Sequence, residues 1–176
     1  MKNIVLIGFM GTGKTSVGKL LAQRLAWPFV DTDQLIEQEV GLPVKEIFRS
    51  KGETFFRTKE SEIIARVSGY TDSVIATGGG AVINRANFNR LKSNSVVIAL
   101  TASGEIILAR TAGNKADRPL LAKKKSAASV EELLAARREH YRLADFTIDT
   151  SKMSPWQVAE EIIALLRPGG ILYENN

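Results

Sequence analysis

The first 25 residues constrain the fold more than any other part of the chain, because an apolar run there passes through a glycine-rich turn into an amphipathic stretch. The apolar run spans Asn3 to Ile7 and is short and rich in β-branched residues, which is typical of a buried strand. Apolar residues then recur at intervals of three and four from Lys14 to Leu25, the period of a helix that faces a core. A strand that turns directly into a helix predicts an α/β protein.

The same alternation continues along the chain. Helical periods are clearest at Lys59 to Val67 and at Val158 to Leu166. Further apolar runs predict strands at Phe29 to Asp31, Val74 to Thr77, Val96 to Leu100 and Phe146 to Asp149. Strands that alternate with helices favour a parallel sheet, which binds its ligands beyond the carboxyl ends of its strands. Those ends lie at Gly8, Asp31, Gly78 and Thr101.

The turn from Gly8 to Thr15 matches the phosphate-binding motif G-x-x-x-x-G-K-[ST]. Glycines let consecutive backbone N–H groups turn toward an anion, and the helix N-terminus adds its positive dipole end. Lys14 would reach the β- and γ-phosphates, and Thr15 would offer its hydroxyl to Mg²⁺. A dinucleotide loop is excluded, because Ser16 stands where the third glycine would be needed. The predicted nucleotide-binding residues are Gly11, Thr12, Gly13, Lys14, Thr15 and Ser16.

The amino-acid composition excludes several classes of catalytic and metal site. The chain has no cysteine and one histidine, His140, so a thiolate nucleophile, a disulfide scaffold and a His-rich metal centre are excluded. Acid and base chemistry is therefore expected from Asp or Glu.

Basic residues are concentrated in one part of the chain. Lys and Arg outnumber Asp and Glu by 24 to 19 overall, and by nine to four between residues 110 and 142. This excess of positive charge could bind a nucleic acid, an anionic membrane or a small anionic ligand. No aromatic residues are interleaved with Lys123 to Lys125, which disfavours nucleic acid. No signal-peptide pattern or apolar run of ~18 residues is visible, and we expect a cytoplasmic monomer.

Two carboxylates follow the second predicted strand. Asp31 and Asp33 are two residues apart and can face the same side of an extended segment. The strand Val74 to Thr77 ends without an acid, so Asp31 is the candidate for the water shell of the metal. Asp33 could accept a hydrogen bond from an acceptor hydroxyl and act as its base, or it could cap a helix that begins at Gln34. The residues alone favour neither role.

Five motifs taken together resemble the shikimate kinase family. They are Gly8 to Thr15, Asp31-Thr32-Asp33, Gly52-Glu53-Thr54-Phe55-Phe56-Arg57, Thr77-Gly78-Gly79-Gly80 and Arg118-Pro119-Leu120-Leu121. The resemblance covers residues 1 to about 168. It implies a five-stranded parallel sheet flanked by helices, of the nucleoside-monophosphate-kinase type with a mobile lid. The implied kinase domain is 1–170, with the lid at about 113–129 and a frayed tail at 171–176.

The resemblance also implies a role for individual residues. Asp33 resembles the carboxylate that holds the shikimate hydroxyls, with Gly78, Gly79 and Gly80 against the ring. Arg57 and Arg137 resemble the pair that binds the shikimate carboxylate, which suits planar guanidinium groups. Glu60 is expected to orient Arg57 through an i,i+3 contact.

On the nucleotide side, Arg118 resembles the lid arginine that stabilises the transferring phosphoryl together with Lys14. Arg110 and Pro155 resemble the residues on either side of the adenine. Many members of the family have an arginine where this chain has Met153.

The resemblance implies transfer of the ATP γ-phosphoryl to the 3-hydroxyl of shikimate, on the route to chorismate, with Mg²⁺ as cofactor. The expected partners are ATP and shikimate, with no nucleic acid and no membrane. Two rivals remain: a gluconate or nucleoside-monophosphate kinase of the same fold, and a nucleic-acid-binding module that uses its phosphate loop as a switch.

Overall fold

A computed structural model describes residues 2–112 and 126–167. Arg118, most of the predicted lid and the predicted tail lie outside the described residues.

The five predicted strands form one sheet. They are β1 (Asn3–Gly8), β2 (Phe29–Asp31), β3 (Val74–Ala76), β4 (Ser95–Thr101) and β5 (Phe146–Asp149). Across the sheet they lie in the order β2-β3-β1-β4-β5, and each neighbouring pair is parallel. The expected five-stranded parallel sheet is confirmed, and no predicted strand end is wrong by more than one residue.

The described part of the chain contains seven α-helices and one short 3₁₀ helix at Ala81–Ile83. The α-helices are α1 (Lys14–Leu25), α2 (Thr32–Val40), α3 (Val44–Val67), α4 (Arg85–Ser93), α5 (Gly104–Thr111), α6 (Ala127–Tyr141) and α7 (Pro155–Leu166). Sequence periodicity predicted α1, the second half of α3 and most of α7. The shorter helices were harder to find because few of their residues face the core: α2 buries only Thr32 and Ile36.

The central strand explains how the sheet carries a core on both faces. All residues of β1 are buried. Ile4 and Leu6 belong to one apolar cluster with residues of α1 and α7. Val5 and Ile7 belong to the opposite cluster, which includes residues of α2, α3, α4 and α6. Because successive strand residues alternate between faces, one strand supports both layers of helices.

The carboxyl ends of the strands lie along one edge of the sheet. Gly8 at the end of β1 is in register with Leu100, and Asp31 at the end of β2 is in register with Ala76. The loops that follow these strands therefore start close together, as predicted.

Helix α3 is broken at Gly52. This residue has φ 83° and ψ 169°, a conformation that is essentially restricted to glycine. The segment after the break carries Arg57 and Glu60, so Gly52 sets the direction in which these residues approach the sheet edge.

Helix α6 begins within the residues of the predicted lid. Ser126 caps this helix, and its hydroxyl accepts a hydrogen bond from the Ser129 N–H at 3.3 Å. Residues 127–129, the last of the predicted lid, therefore form the first turn of α6. None of the helices in the described ranges is long and apolar enough to cross a membrane.

Candidate active site

One cavity of about 890 Å³ is lined by every predicted site residue that lies within the described ranges. The predicted nucleotide and metal residues in its wall are Gly11, Thr12, Gly13, Lys14, Thr15, Ser16, Asp31, Arg110 and Pro155. The predicted substrate residues in its wall are Asp33, Arg57, Gly78, Gly79, Gly80 and Arg137. Arg118 is the predicted site residue that lies outside the described residues.

The glycine turn closes tightly against the end of β4. Gly8 has φ 142°, and a Cβ atom at this position would overlap the Leu100 carbonyl oxygen. Gly13 stands at the N-cap of α1 with φ 100° and offers no side chain to the first turn. The N–H groups at this helix start therefore need partners from elsewhere, which is the requirement of an anion site.

Lys14 lies across the glycine turn. Its ammonium Nζ donates to the carbonyl oxygens of Gly8 at 2.8 Å and Phe9 at 2.9 Å. These two bonds hold the charge at the mouth of the turn, where a phosphate would approach.

Thr15 and Asp31 bring two oxygen ligands together. The Thr15 hydroxyl donates to Asp31 Oδ2 at 3.0 Å, and Asp31 Oδ1 accepts from the N–H groups of Asp33 at 3.1 Å and Gln34 at 3.4 Å. Asp31 is thus the N-cap of α2, and the alternative that Asp33 caps a helix beginning at Gln34 is wrong. A hydroxyl beside a carboxylate fits Mg²⁺, which prefers oxygen ligands and keeps several waters. Residues 2–112 and 126–167 contain no cluster of three His, Cys, Asp or Glu side chains that could hold a metal.

Asp33 is a buried carboxyl with a free oxygen. Its Oδ1 is buried and has no hydrogen-bond partner among residues 2–112 and 126–167. Burial, together with the nearby charges of Asp31 and Glu60, raises the pKa of Asp33 to about 7, while Lys14 opposes this shift. Desolvation dominates because a carboxylate loses more hydration than a neutral carboxyl. The site therefore offers an acceptor whose proton affinity suits a general base near neutral pH.

Arg57 is held between two carboxylates. Its Nη1 donates to Glu60 Oε2 at 2.9 Å, which confirms the expected i,i+3 contact, and its Nε and Nη2 both lie 3.3 Å from Glu53 Oε1. The Glu60 side chain is 2% exposed and that of Glu53 is 67% exposed. Burial raises the pKa of Glu60, and Arg57 opposes this shift. The buried partner fixes the guanidinium, and the exposed one contributes little.

The three consecutive glycines bring backbone close to these side chains. A Cβ atom on Gly78 would lie 2.6 Å from Asp33 Oδ1 and 3.1 Å from Glu60 Oε1, which is also buried without a partner. A Cβ atom on Gly80 would lie 2.8 Å from Arg57 Nη1. The absence of side chains in this loop leaves room for a ligand between the carboxylates and the arginine.

Arg137 reaches the same loop from α6. Its Nη1 donates to the Gly79 carbonyl oxygen at 3.0 Å, and its guanidinium carbon lies 5.2 Å from the centre of the Phe9 ring. Arg137 and Arg57 thus come from different helices to adjacent residues of one short glycine loop, Gly79 and Gly80. Two guanidinium groups so placed can bind one carboxylate in a fixed orientation.

Comparisons with known proteins agree with this geometry. A family model described as shikimate kinase matches residues 10–167. The shikimate kinase of Caldanaerobacter subterraneus subsp. tengcongensis is 48% identical over 163 residues, which are 93% of this chain and 95% of that protein. The shikimate kinase of Thermodesulfovibrio yellowstonii is also 48% identical, over 93% of this chain and 94% of that protein.

A solved structure supports the same assignment. It is titled shikimate kinase from Acinetobacter baumannii in complex with shikimate, and it aligns with a TM-score of 0.91 at 35% identity. The alignment covers 98% of this chain and 96% of that one. The chain belongs to the shikimate kinase family. It is an ATP-dependent kinase that phosphorylates shikimate, and the resemblance seen in its motifs is confirmed.

The far end of the shikimate kinase cavity carries the residues predicted to flank adenine. Arg110 Nη2 donates to the Thr150 carbonyl at 2.6 Å, and Nη1 donates to the Thr150 hydroxyl oxygen at 2.9 Å. Pro155 is the first residue of α7, and Met153 lines the cavity beside it. With its donors directed at Thr150, Arg110 can present the flat face of its guanidinium to a base.

Sequence reasoning gave no role to two residues of this cavity region. Thr150 is buried, and its hydroxyl lies 3.0 Å from the carbonyl oxygens of both Thr12 and Thr101. Tyr141 is buried and donates to the Gly79 carbonyl at 2.8 Å. A signal existed for Tyr141, since it follows Arg137 by four residues on a helix and so shares its face.

Proposed function

We propose that this chain transfers the γ-phosphoryl of ATP in line to the 3-hydroxyl of shikimate, giving shikimate 3-phosphate and ADP. The observation that carries this proposal is that a single cavity joins the phosphate-binding turn at the start of α1 to Asp33, Arg57 and Arg137. A phosphate cradle and a site for a small hydroxylated acid thus face one another across one space.

Arg57 and Arg137 bind the shikimate carboxylate in this proposal. Both guanidinium groups are already fixed, by Glu60 and by the Gly79 carbonyl respectively. Each keeps further N–H donors for the substrate, because a guanidinium carries five. Fixing both groups before binding reduces the entropy that is lost when the acid is oriented.

Asp33 accepts the hydrogen bond of the hydroxyl that attacks the phosphoryl. Its unpartnered Oδ1 supplies the acceptor, and its raised pKa supports a general-base role. Glycine at position 78 lets the backbone pack against this oxygen, since a Cβ atom there would lie only 2.6 Å from it.

The phosphoryl group is bound from the opposite side. Lys14 and the N–H groups of the glycine turn stabilise charge on its oxygens, and we propose the same role for Arg118. Thr15, with Asp31 acting through water, would hold Mg²⁺. When bound, this ion neutralises charge that develops on the phosphate oxygens.

ADP release measured with and without shikimate tests this proposal. We expect release to depend on shikimate and to be absent with gluconate or a nucleoside monophosphate as acceptor. Asp33→Asn should lose most of kcat/KM for shikimate while it retains binding of ATP. Full kcat/KM in that variant would contradict the role of Asp33, and preferred turnover of gluconate would contradict the substrate.

The remaining expectations stay predictions. These are a single kinase domain at 1–170, a monomer, a cytoplasmic location, and no binding of nucleic acid. Sedimentation at two protein concentrations tests the monomer. Retention on immobilised DNA or RNA at low salt tests the nucleic-acid rival, because such binding weakens steeply as salt increases.

A further inference from the structure

We propose that Tyr141 is a positioning residue of the shikimate site, acting through the carbonyl group of Gly79. This inference rests on the proposed roles of Arg137 and of the glycine loop, and it gives a function to a side chain that those roles leave unused.

The geometry around the Gly79 carbonyl carries the proposal. This oxygen accepts two hydrogen bonds, from the Tyr141 hydroxyl at 2.8 Å and from Arg137 Nη1 at 3.0 Å. Both donors stand on the same face of α6, one helical turn apart. Tyr141 is 6% exposed, and burial raises the pKa of its hydroxyl, so the group keeps its proton and acts as a donor at neutral pH.

The two ends of this loop are held by other hydrogen bonds: the Gly78 N–H donates to the Thr32 hydroxyl at 3.2 Å, and the Ile83 N–H donates to the Gly80 carbonyl at 3.1 Å. The contacts with α6 restrain Gly79 between them. Three successive glycines populate a wide range of backbone conformations, so an external hydrogen bond has a larger effect here than in a loop with side chains. The loop also borders the phosphate side: a Cβ atom on Gly79 would lie 3.4 Å from the Gly8 carbonyl and 3.5 Å from the Met10 nitrogen. Displacement of Gly79 would therefore disturb both halves of the cavity.

Two consequences for the substrate follow. The peptide bonds of the described residues are all trans, so the N–H of Gly80 points opposite to the Gly79 carbonyl, away from its two donors on α6. Tyr141 thus fixes the direction of a backbone donor in a residue that lines the cavity. The Tyr141 hydroxyl also donates to one of the two lone pairs of the Gly79 carbonyl oxygen. Arg137 therefore needs to donate only one N–H to this oxygen, and its remaining N–H groups can bind the substrate carboxylate.

Tyr141→Phe tests the proposal, because it removes the hydroxyl and keeps the ring. We expect KM for shikimate to rise about three- to tenfold, the change expected for loss of one neutral hydrogen bond. We expect KM for ATP and kcat to change less than twofold, and the melting temperature to fall by no more than a few degrees. Tyr70→Phe is the matched control, since Tyr70 is 36% exposed and does not line the cavity.

A double-mutant cycle with Arg137→Lys separates positioning from general stability. If Tyr141 acts through the carbonyl that it shares with Arg137, the two effects on KM for shikimate will not be additive. Additive effects, an unchanged KM for shikimate, or equal increases in both KM values would overturn the proposal. Wild-type protein that released no ADP with shikimate would overturn the proposed function itself, and the inference with it.

Discussion

The two sides of the cavity are built in different ways. Among the described residues, the phosphate side comes from one continuous segment, Gly8 to Thr15, and its donors are mainly backbone groups at the start of α1. The substrate side comes from four separate segments, and most of its groups are side chains. They are Asp33 after β2, Arg57 with Glu60 on α3, the glycine loop after β3, and Arg137 on α6.

This difference decides which side tolerates change. On the phosphate side conformation and chemistry belong to the same few residues, so a substitution there alters the backbone itself. On the substrate side the backbone of each segment is supported elsewhere in the fold, so a substitution moves one side chain. The predictions below test this contrast.

Paired glycine substitutions should give the largest difference. In Gly8→Ala the new Cβ atom overlaps the Leu100 carbonyl and forces β1 from β4. We expect the free energy of unfolding, measured with denaturant, to fall by about 3 kcal/mol or more. In Gly80→Ala the Cβ atom meets only the end of the Arg57 side chain, so we expect a loss below about 1 kcal/mol and a raised KM for shikimate. Equal losses of stability would contradict the contrast.

Lys14→Met should affect catalysis rather than substrate binding. The ammonium is held 2.8 Å from the Gly8 carbonyl, at the mouth of the phosphate turn. Loss of a preorganised charge at such a position typically lowers kcat by about 10²- to 10³-fold. We expect a loss in this range in a coupled ADP-release assay, with KM for shikimate unchanged. Lys19→Met, on an exposed position of the same helix, is the control; a loss below about tenfold for Lys14→Met would argue against its role.

Arg57→Lys should affect substrate binding rather than catalysis. A lysine has no planar fork and cannot bind Glu60 and a substrate carboxylate with the same geometry. We expect KM for shikimate to rise about 10- to 100-fold, with a smaller change in KM for ATP. Arg66→Lys serves as the control, because Arg66 is half-exposed and pairs with Glu39 away from the cavity. A selective rise in KM for ATP would show that the two sides have been assigned wrongly.

We expect the smallest effect from Asp33→Asn, which should increase the free energy of unfolding above neutral pH. Because the pKa of Asp33 is raised to about 7, the folded protein binds its proton more tightly than the unfolded chain does. The free energy of unfolding of the apoprotein should therefore fall as the pH rises from about 4 to about 7. Asp33→Asn removes this dependence, and we expect it to be more stable than wild type at pH 8 by roughly 2 kcal/mol.

Denaturant unfolding at pH 5 and pH 8 measures this effect, with Glu62→Gln as an exposed control. A stability advantage of Asp33→Asn that was the same at both values of pH would contradict the raised pKa.

How much could be predicted from the sequence depended on whether the signal was local. The strands and α1 were predictable because their apolar periods are complete within a few residues, and the glycine turn because its spacing alone prescribes an anion site. The pairing of Arg57 with Arg137 came from a family resemblance, since no local pattern relates residues on α3 and α6 that meet only at the loop after β3.

Local sequence patterns could not predict the N-cap of α2 or the role of Thr150. Whether Asp31 or Asp33 caps α2 depends on a difference of two residues in the helix start, and both carboxylates permit either start locally. The three-dimensional fold resolves it by placing the Thr15 hydroxyl against Asp31. The role of Thr150 was hidden for a similar reason, because its partners are distant in the chain: Thr12 lies in the glycine turn and Thr101 ends β4.

The break in α3 at Gly52 has a consequence for how this protein can change in evolution. In an uninterrupted helix, insertion of one residue rotates everything beyond it by about 100°, which would carry Arg57 and Glu60 away from the cavity. A residue with non-helical backbone angles removes the fixed rotational relation between the segments on either side of it. The segment before Gly52 can therefore gain or lose residues while the segment that carries Arg57 keeps its phase. The wall of the cavity at Val44 can then diverge independently of the arginine, whereas Phe48 remains coupled to it through its ring contact with Phe56 at 4.6 Å.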